Sequence, residues 1–209
     1  MTESVGVFID YENMHRTGHD LYARESARLY ETVLDPIRVA ETLVAKRSRT
    51  HVSTLTGVHV YRGRPVPDHQ PKPASANDSQ AHAWSADSRV RVIRRDLKYV
   101  RHRDGTFLAR EKGIDVALAV GLTEAALDHA YDTAIVFSGD TDLLPALELI
   151  FRRGLMGLEI AAWSGQKPLW FPELVSATPP LRLPYCHFLD SLNFAACRDC
   201  AHPGGGRAS

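Results

Sequence analysis

Asp140 and Asp142 stand one residue apart at the end of an apolar run, Ile135-Val136-Phe137-Ser138-Gly139-Asp140-Thr141-Asp142-Leu143-Leu144. Two distant segments also bring an acid to the edge of an apolar stretch. Residues 5–9 stop at Asp10-Tyr11-Glu12-Asn13, and Asp115 lies at the start of Ile114-Asp115-Val116-Ala117-Leu118-Ala119. Carboxylates are hard oxygen ligands that suit Mg2+ or Mn2+ better than zinc, and no histidine lies inside these acidic segments. Several carboxylates gathered in one pocket without a cation would repel one another and hold their protons. Convergence of Asp10, Asp115, Asp140 and Asp142 therefore makes sense as a divalent-cation site. The simpler alternative is that Asp140 or Asp142 only caps a helix, a role for which one aspartate suffices.

The neighbouring residues say how these acids are positioned. Residues 133–137 are β-branched and aromatic, as in a strand buried on both faces, and residues 5–9 form a second such strand. Carboxylates at the carboxyl ends of parallel strands sit where open α/β sheets bind ligands. After Gly139 the spacing of Leu143, Leu147 and Ile150 predicts a helix to Arg152, with Pro145 tolerated in its first turn. Asp115 falls in the first turn of a helix running from Gly113 to about His129, where the helix dipole favours an ionised carboxylate. Asp35-Pro36 predicts a helix to Lys46, followed by a strand over residues 53–62 and a right-handed crossover. Residues 14–30 form no clean stripe and predict a loop with a short helix. The four prolines in residues 65–77 predict an exposed, mobile connection. Residues 79–88 predict a short helix with Trp84 as a core anchor, and residues 155–163 and 168–175 a further strand and helix. Beyond residue 180 the pattern fades.

The segments Phe8-Ile9-Asp10-Tyr11-Glu12-Asn13, Lys112-Gly113-Ile114-Asp115-Val116-Ala117-Leu118 and Ser138-Gly139-Asp140-Thr141-Asp142-Leu143 resemble, in type and order, the motifs of the NYN domain. That family is a PIN-like nuclease group with LabA-like members, and the likeness covers residues 4–165. It implies a three-layer α/β/α PIN-like fold with a mainly parallel sheet, a Mg2+ or Mn2+ site, and action on RNA. It further implies that Asp10, Asp115, Asp140 and Asp142 ligate metal directly or through water, and that Asn13 is a polar residue beside them or positions substrate. Leu143 departs from the aromatic residue of many members, which affects packing. The chemistry expected is phosphodiester hydrolysis. It needs an activated water and charge neutralisation on phosphate and leaving oxygen, which two divalent ions about 3.5–4 Å apart can supply.

Basic residues predict where phosphates go. Arg62 and Arg64 end the strand over residues 53–62 on the side of Asp10, and a guanidinium matches phosphate oxygens in fork geometry. Residues 89–112 carry nine Lys or Arg, among them Arg94, Arg95, Lys98, Arg101 and Lys112, against Asp96, Asp104 and Glu111. Val90 and Val92 alternate with Arg89 and Arg91 as in a strand. Asp104-Gly105 marks a hairpin turn whose Tyr99 and Phe107 could stack on single-stranded bases. The alternative is a solvated strand face.

Twenty-five basic and 25 acidic residues leave no formal net charge, so a nucleic-acid surface has to be local. The 209 residues suit one core: a nuclease domain over residues 1–178 and a partly disordered extension over 179–209. No signal pattern opens the chain and no apolar run reaches the ~20 residues that span a bilayer, so the expectations are a cytoplasmic protein, RNA as partner, no membrane, and a homodimer as an option. Cys197 and Cys200, with Cys186, His187 and His202, have zinc-like spacing, but reduced thiols are the simpler reading. Two functional rivals stand beside the ribonuclease. One is a non-catalytic RNA-binding or partner-docking module of the same fold. The other is a haloacid-dehalogenase-type phosphatase, which would need a second Asp at position 12, where this chain has Glu12.

Overall fold

The computed structural model describes residues 2–103, 105–179 and 181–199. Its centre is a six-stranded parallel sheet. The strands are β1 (Glu3–Asp10), β2 (Ser53–Arg64), β3 (Val90–Asp96), β6 (Thr133–Phe137), β7 (Gly157–Trp163) and β8 (Tyr185–Leu189), in the order β3-β2-β1-β6-β7-β8. A separate antiparallel hairpin pairs β4 (Lys98–Arg101) with β5 (Phe107–Arg110). The α/β class and PIN-like layering expected from the sequence are what the chain adopts.

Alternation along the strands explains the layers, because successive side chains point to opposite faces. Val7, Ile9, Ile135 and Phe137 share a core with α1 (Tyr11–Tyr22), α2 (Pro36–Arg47) and α7 (Ser191–Ala196). Phe8, Tyr61, Val136 and Ile160 face a second core with α4 (Ile114–Leu127), α5 (Leu144–Arg153) and α6 (Pro172–Ser176). Trp84, at the end of α3 (Pro71–Trp84), is buried in the first core as expected. The sheet reverses direction at β1, with β2 on one side and β6 on the other. Their carboxyl ends open the kind of crevice in which doubly wound sheets bind ligands.

Four expectations are corrected. Residues 14–30 are not a loop at their start: α1 follows Asp10 directly, because Asp10 caps it by accepting from Asn13 N. Its buried face is Tyr11, Met14, His15 and Gly18, a stripe with helical spacing but without aliphatic residues. Residues 65–77 are not one exposed connection either. Pro71 and Pro73 lie in the first turn of α3, where a missing N–H costs little. The helix expected from Asp140 begins as a 3-10 turn, Thr141–Leu143, before α5. Beyond residue 180 the chain adds β8, parallel to β7 at the sheet edge, and α7, capped by Asp190. The remaining elements fall within a few residues of their expected bounds, α6 starting latest. Residues 200–209, including Cys200, His202 and the expected disordered end, and Asp104 of the hairpin turn, lie outside the described residues.

Candidate metal centre

Asp10 is the last residue of β1, Asp115 sits in the first turn of α4, and Asp140 follows β6. Each offers a carboxylate oxygen within 4.8 Å of the others, the one such group of three potential metal ligands among the described residues. The register makes this so: Ile9 pairs with Phe137, which sets Asp10 beside Ser138. Gly113 delivers Asp115 by taking φ +77°, a left-handed turn that glycine adopts at little cost.

Hydrogen bonds fix two of the three acids. Ser138 Oγ donates to Asp10 Oδ2 at 2.9 Å and accepts from Asp140 N at 3.0 Å, tying the strand ends together. Asp10 Oδ1 accepts from Asn13 N at 3.2 Å. Asn13 Oδ1 accepts from Gly139 N at 2.9 Å, so Asn13 braces the turn that carries Asp140. Asp140 Oδ1 accepts from Asp142 N at 2.9 Å. Capping and convergence thus coexist, since Asp10 and Asp140 both cap helical turns while belonging to the trio. Asp142 is exposed and outside the trio.

Burial sets the electrostatics. Asp10 is 5% exposed, and burial pushes its carboxyl up to about 6 against the pull of the Ser138 and Asn13 hydrogen bonds, with Asp115 and Asp140 adding repulsion. Asp115 is likewise raised, by burial and then by Asp140. This is the strain expected of carboxylates crowded without a counter-charge, and an all-oxygen donor set of this kind fits a hard divalent cation.

Two residues beside the trio escape the sequence reading. One is Ser138, a small hydroxyl inside a recognised motif. The other is Glu111, which stands in the basic run as a lone acid. Glu111 is exposed as a residue, yet its carboxylate tucks against β2 and accepts from Gly63 N at 2.8 Å. Desolvation there, with repulsion from Glu12, Asp10 and Asp115, lifts it to about 7. An acid four residues before Asp115, among cations, is the signal that could have found it.

The basic residues divide into two sets. Arg64 bridges Asp78 through Nε and Nη2 at 2.8 and 2.9 Å and also contacts Asp96, while Arg94 pairs with the same Asp78 and with Asn77. Both are committed to these partners. Arg62 is buried, donating to Gln80 Oε1 at 2.9 Å and facing Glu12 at 3.6 Å. Arg95, Lys98, Arg101 and Lys112 are exposed, and Arg95 lies within 3.6 Å of where a Cβ on Gly113 would sit. Tyr99 stacks on His69 at 4.1 Å between ring centroids, and Phe107 leans on the same ring while remaining half exposed. At the far end of the chain, Cys197 is buried with Sγ 3.6 Å from Thr42 Oγ1, and His187 pairs with Glu159.

Among the described residues no helix is long and apolar enough to cross a membrane. A solved structure of a protein of unknown function, VPA0982 from Vibrio parahaemolyticus RIMD 2210633, is similar over 77% of this chain and 81% of that one, at 18% identity and a TM-score of 0.47. No curated protein matches the chain. The NYN domain family matches residues 4–178, a span that contains the trio and every strand but β8. The chain belongs to the NYN domain family, and with it to the PIN-like nuclease superfamily.

Proposed function

We propose that this protein is a metal-dependent ribonuclease that cuts RNA internally at the Asp10, Asp115 and Asp140 centre. The observation that carries the reading is the trio itself, three carboxylates within 4.8 Å at the sheet's crevice, the innermost buried and reluctant to ionise. Asp10, Asp115 and Asp140 would hold the ion, and Asp142 would reach it through water. A divalent cation, Mg2+ or Mn2+, supplies there the activation of water and the neutralisation of phosphate charge that hydrolysis requires. The chain's own residues do the rest. Ser138 keeps Asp10 oriented and favours its ionised form, and Asn13 fixes the turn that carries Asp140. Arg95, Lys98, Arg101 and Lys112 form the exposed cationic approach for a phosphate backbone, the main source of sequence-independent affinity. Arg64 and Arg94 shape that approach by holding Asp78. Glu111, poised to about 7, is placed to exchange a proton near the reacting phosphate.

The test is cleavage of labelled single-stranded and structured RNA with Mn2+, Mg2+ or EDTA, by wild type and Asp140→Asn. Metal-dependent cleavage lost in the variant supports the reading. Equal inactivity of both proteins, with RNA still bound, would favour the non-catalytic binding module instead.

A further inference from the structure

Beside the trio lies a cleft of about 900 Å3 bounded by α1, β2, α3 and the β4–β5 hairpin. Its size falls in the range of small-molecule sites, about 300–1,000 Å3. The wall is apolar at Leu29, Val33, Pro65, Pro73 and Leu97, and Arg16, Lys72 and Arg110 are exposed cations around it. Glu12, Gly63 and Glu111 also line it, so the cleft is continuous with the surroundings of the acidic centre. The hairpin is pinned against it, since Tyr99 Oη donates to Gln70 Oε1 at 2.9 Å and accepts from Val66 N at 3.1 Å.

Arg62 lines the cleft and distinguishes it. The side chain is 7% exposed, with its guanidinium 4.5 Å from the Tyr11 ring centre and 5.2 Å from that of Trp84. Its hydrogen bond goes to Gln80, its ion pair to Glu12 is a loose 3.6 Å, and Nε has no partner. A guanidinium carries five N–H donors, and leaving buried ones unmet is costly. Arg64 and Arg94, by contrast, are matched to Asp78. A buried cation with donors to spare, stacked on aromatic faces beside an apolar wall, suits a flat ligand with polar edges.

We propose that this cleft seats one unpaired nucleotide of the substrate strand, its base on the apolar wall and its edge at Arg62, next to the phosphate held at the carboxylate trio. The assignment rests on the ribonuclease reading and adds a substrate class to it. A base stacked and paired within a duplex cannot enter, so the cleft selects unpaired RNA.

The test uses the full chain and a fluorescein-labelled RNA dodecamer, alone or annealed to its complement, with binding followed by anisotropy in EDTA. Wild type should prefer the single strand by about tenfold or more, the scale of one base–aromatic or base–apolar contact. Ala76→Trp and Ala109→Trp fill the cleft and should abolish that preference, and Lys72→Ala, an exposed change, should weaken single-strand binding a few-fold. Unchanged Mn2+ affinity and melting temperature in these variants would exclude misfolding. If wild type cuts RNA and the filled variants bind and cut single strands equally well, the cleft assignment is overturned while the nuclease reading stands. If wild type neither binds nor cuts RNA, both fall. Adenosine or uridine monophosphate binding as tightly as the dodecamer, read from the Arg62 Nε resonance in 15N-arginine-labelled protein, would mark a free-nucleotide site and also overturn the proposal.

Discussion

Removing one hydroxyl, in Ser138→Ala, tests the electrostatics of the centre. Ser138 Oγ donates to Asp10 Oδ2 at 2.9 Å, and this bond favours the ionised carboxylate that metal binding needs. A hydrogen bond to a charged group contributes about 1.5–3 kcal/mol, so its loss lets Asp10 hold its proton about tenfold more tightly or more. With wild-type Asp10 at about 6, about nine-tenths of the molecules are ionised at pH 7, and about half at pH 6. In the variant those fractions fall to about one-half and one-tenth. Apparent Mn2+ affinity should therefore drop about twofold at pH 7 and about fivefold at pH 6, and converge on wild type above pH 8. Isothermal titration with Mn2+ alone, over pH 5.5 to 8.5, reads this directly. A loss of the same size at every pH would mean that Ser138 acts through geometry alone, and no loss would refute its coupling to Asp10.

Asp10→Asn should abolish metal-dependent cleavage and yet melt in EDTA at pH 7 at or above the wild-type temperature. Raising the acid from 3.8 to about 6 means the folded state binds more protons in that window, so stability falls as pH rises through it, by an upper figure of about 3 kcal/mol that the neutral amide escapes. Asp142→Asn should keep most of the Mn2+ affinity that Asp140→Asn loses, because Asp142 lies outside the trio; equal losses would place both as ligands. His15 and His59 are each lowered from 6.5 to about 4, chiefly by burial. Stability they lend above pH 6.5 should drain away as pH falls towards 4, and NMR titration should find both rings neutral at pH 5.5. Replacing Lys98 and Arg101 with alanine should weaken binding to unrelated RNA sequences alike and flatten its salt dependence, whereas a sequence-dependent effect would argue against backbone contact.

The acids of the centre are legible in sequence because each ends or begins an element whose apolar pattern is plain, and two strand ends plus a helix start leave few ways to arrange them. Asp142 looks equivalent to Asp140 on the page, but the turn after β6 brings only Asp140 into the trio and leaves Asp142 in solvent. Glu111 carries no local sign of its role, which comes from folding back onto Gly63, 48 residues earlier. The same holds for Arg64 and Arg94. As residues they are phosphate ligands in waiting, and only the packing of α3 against β2 reveals Asp78 between them. Helix α1 hides because His15 and Gly18 stand where aliphatic residues are expected, with His15 packed against Tyr11 and Gly18 admitting the Trp163 ring. Strand β8 hides because an edge strand has one neighbour and tolerates exposed Tyr185 and Phe188.

Anomalous diffraction from crystals soaked in Mn2+ tests the central claim most directly. The account predicts a peak within coordination distance, about 2–2.6 Å, of oxygens from Asp10, Asp115 and Asp140, absent from crystals of Asp140→Asn. A peak elsewhere, or none at saturating Mn2+ and pH 8, would contradict it.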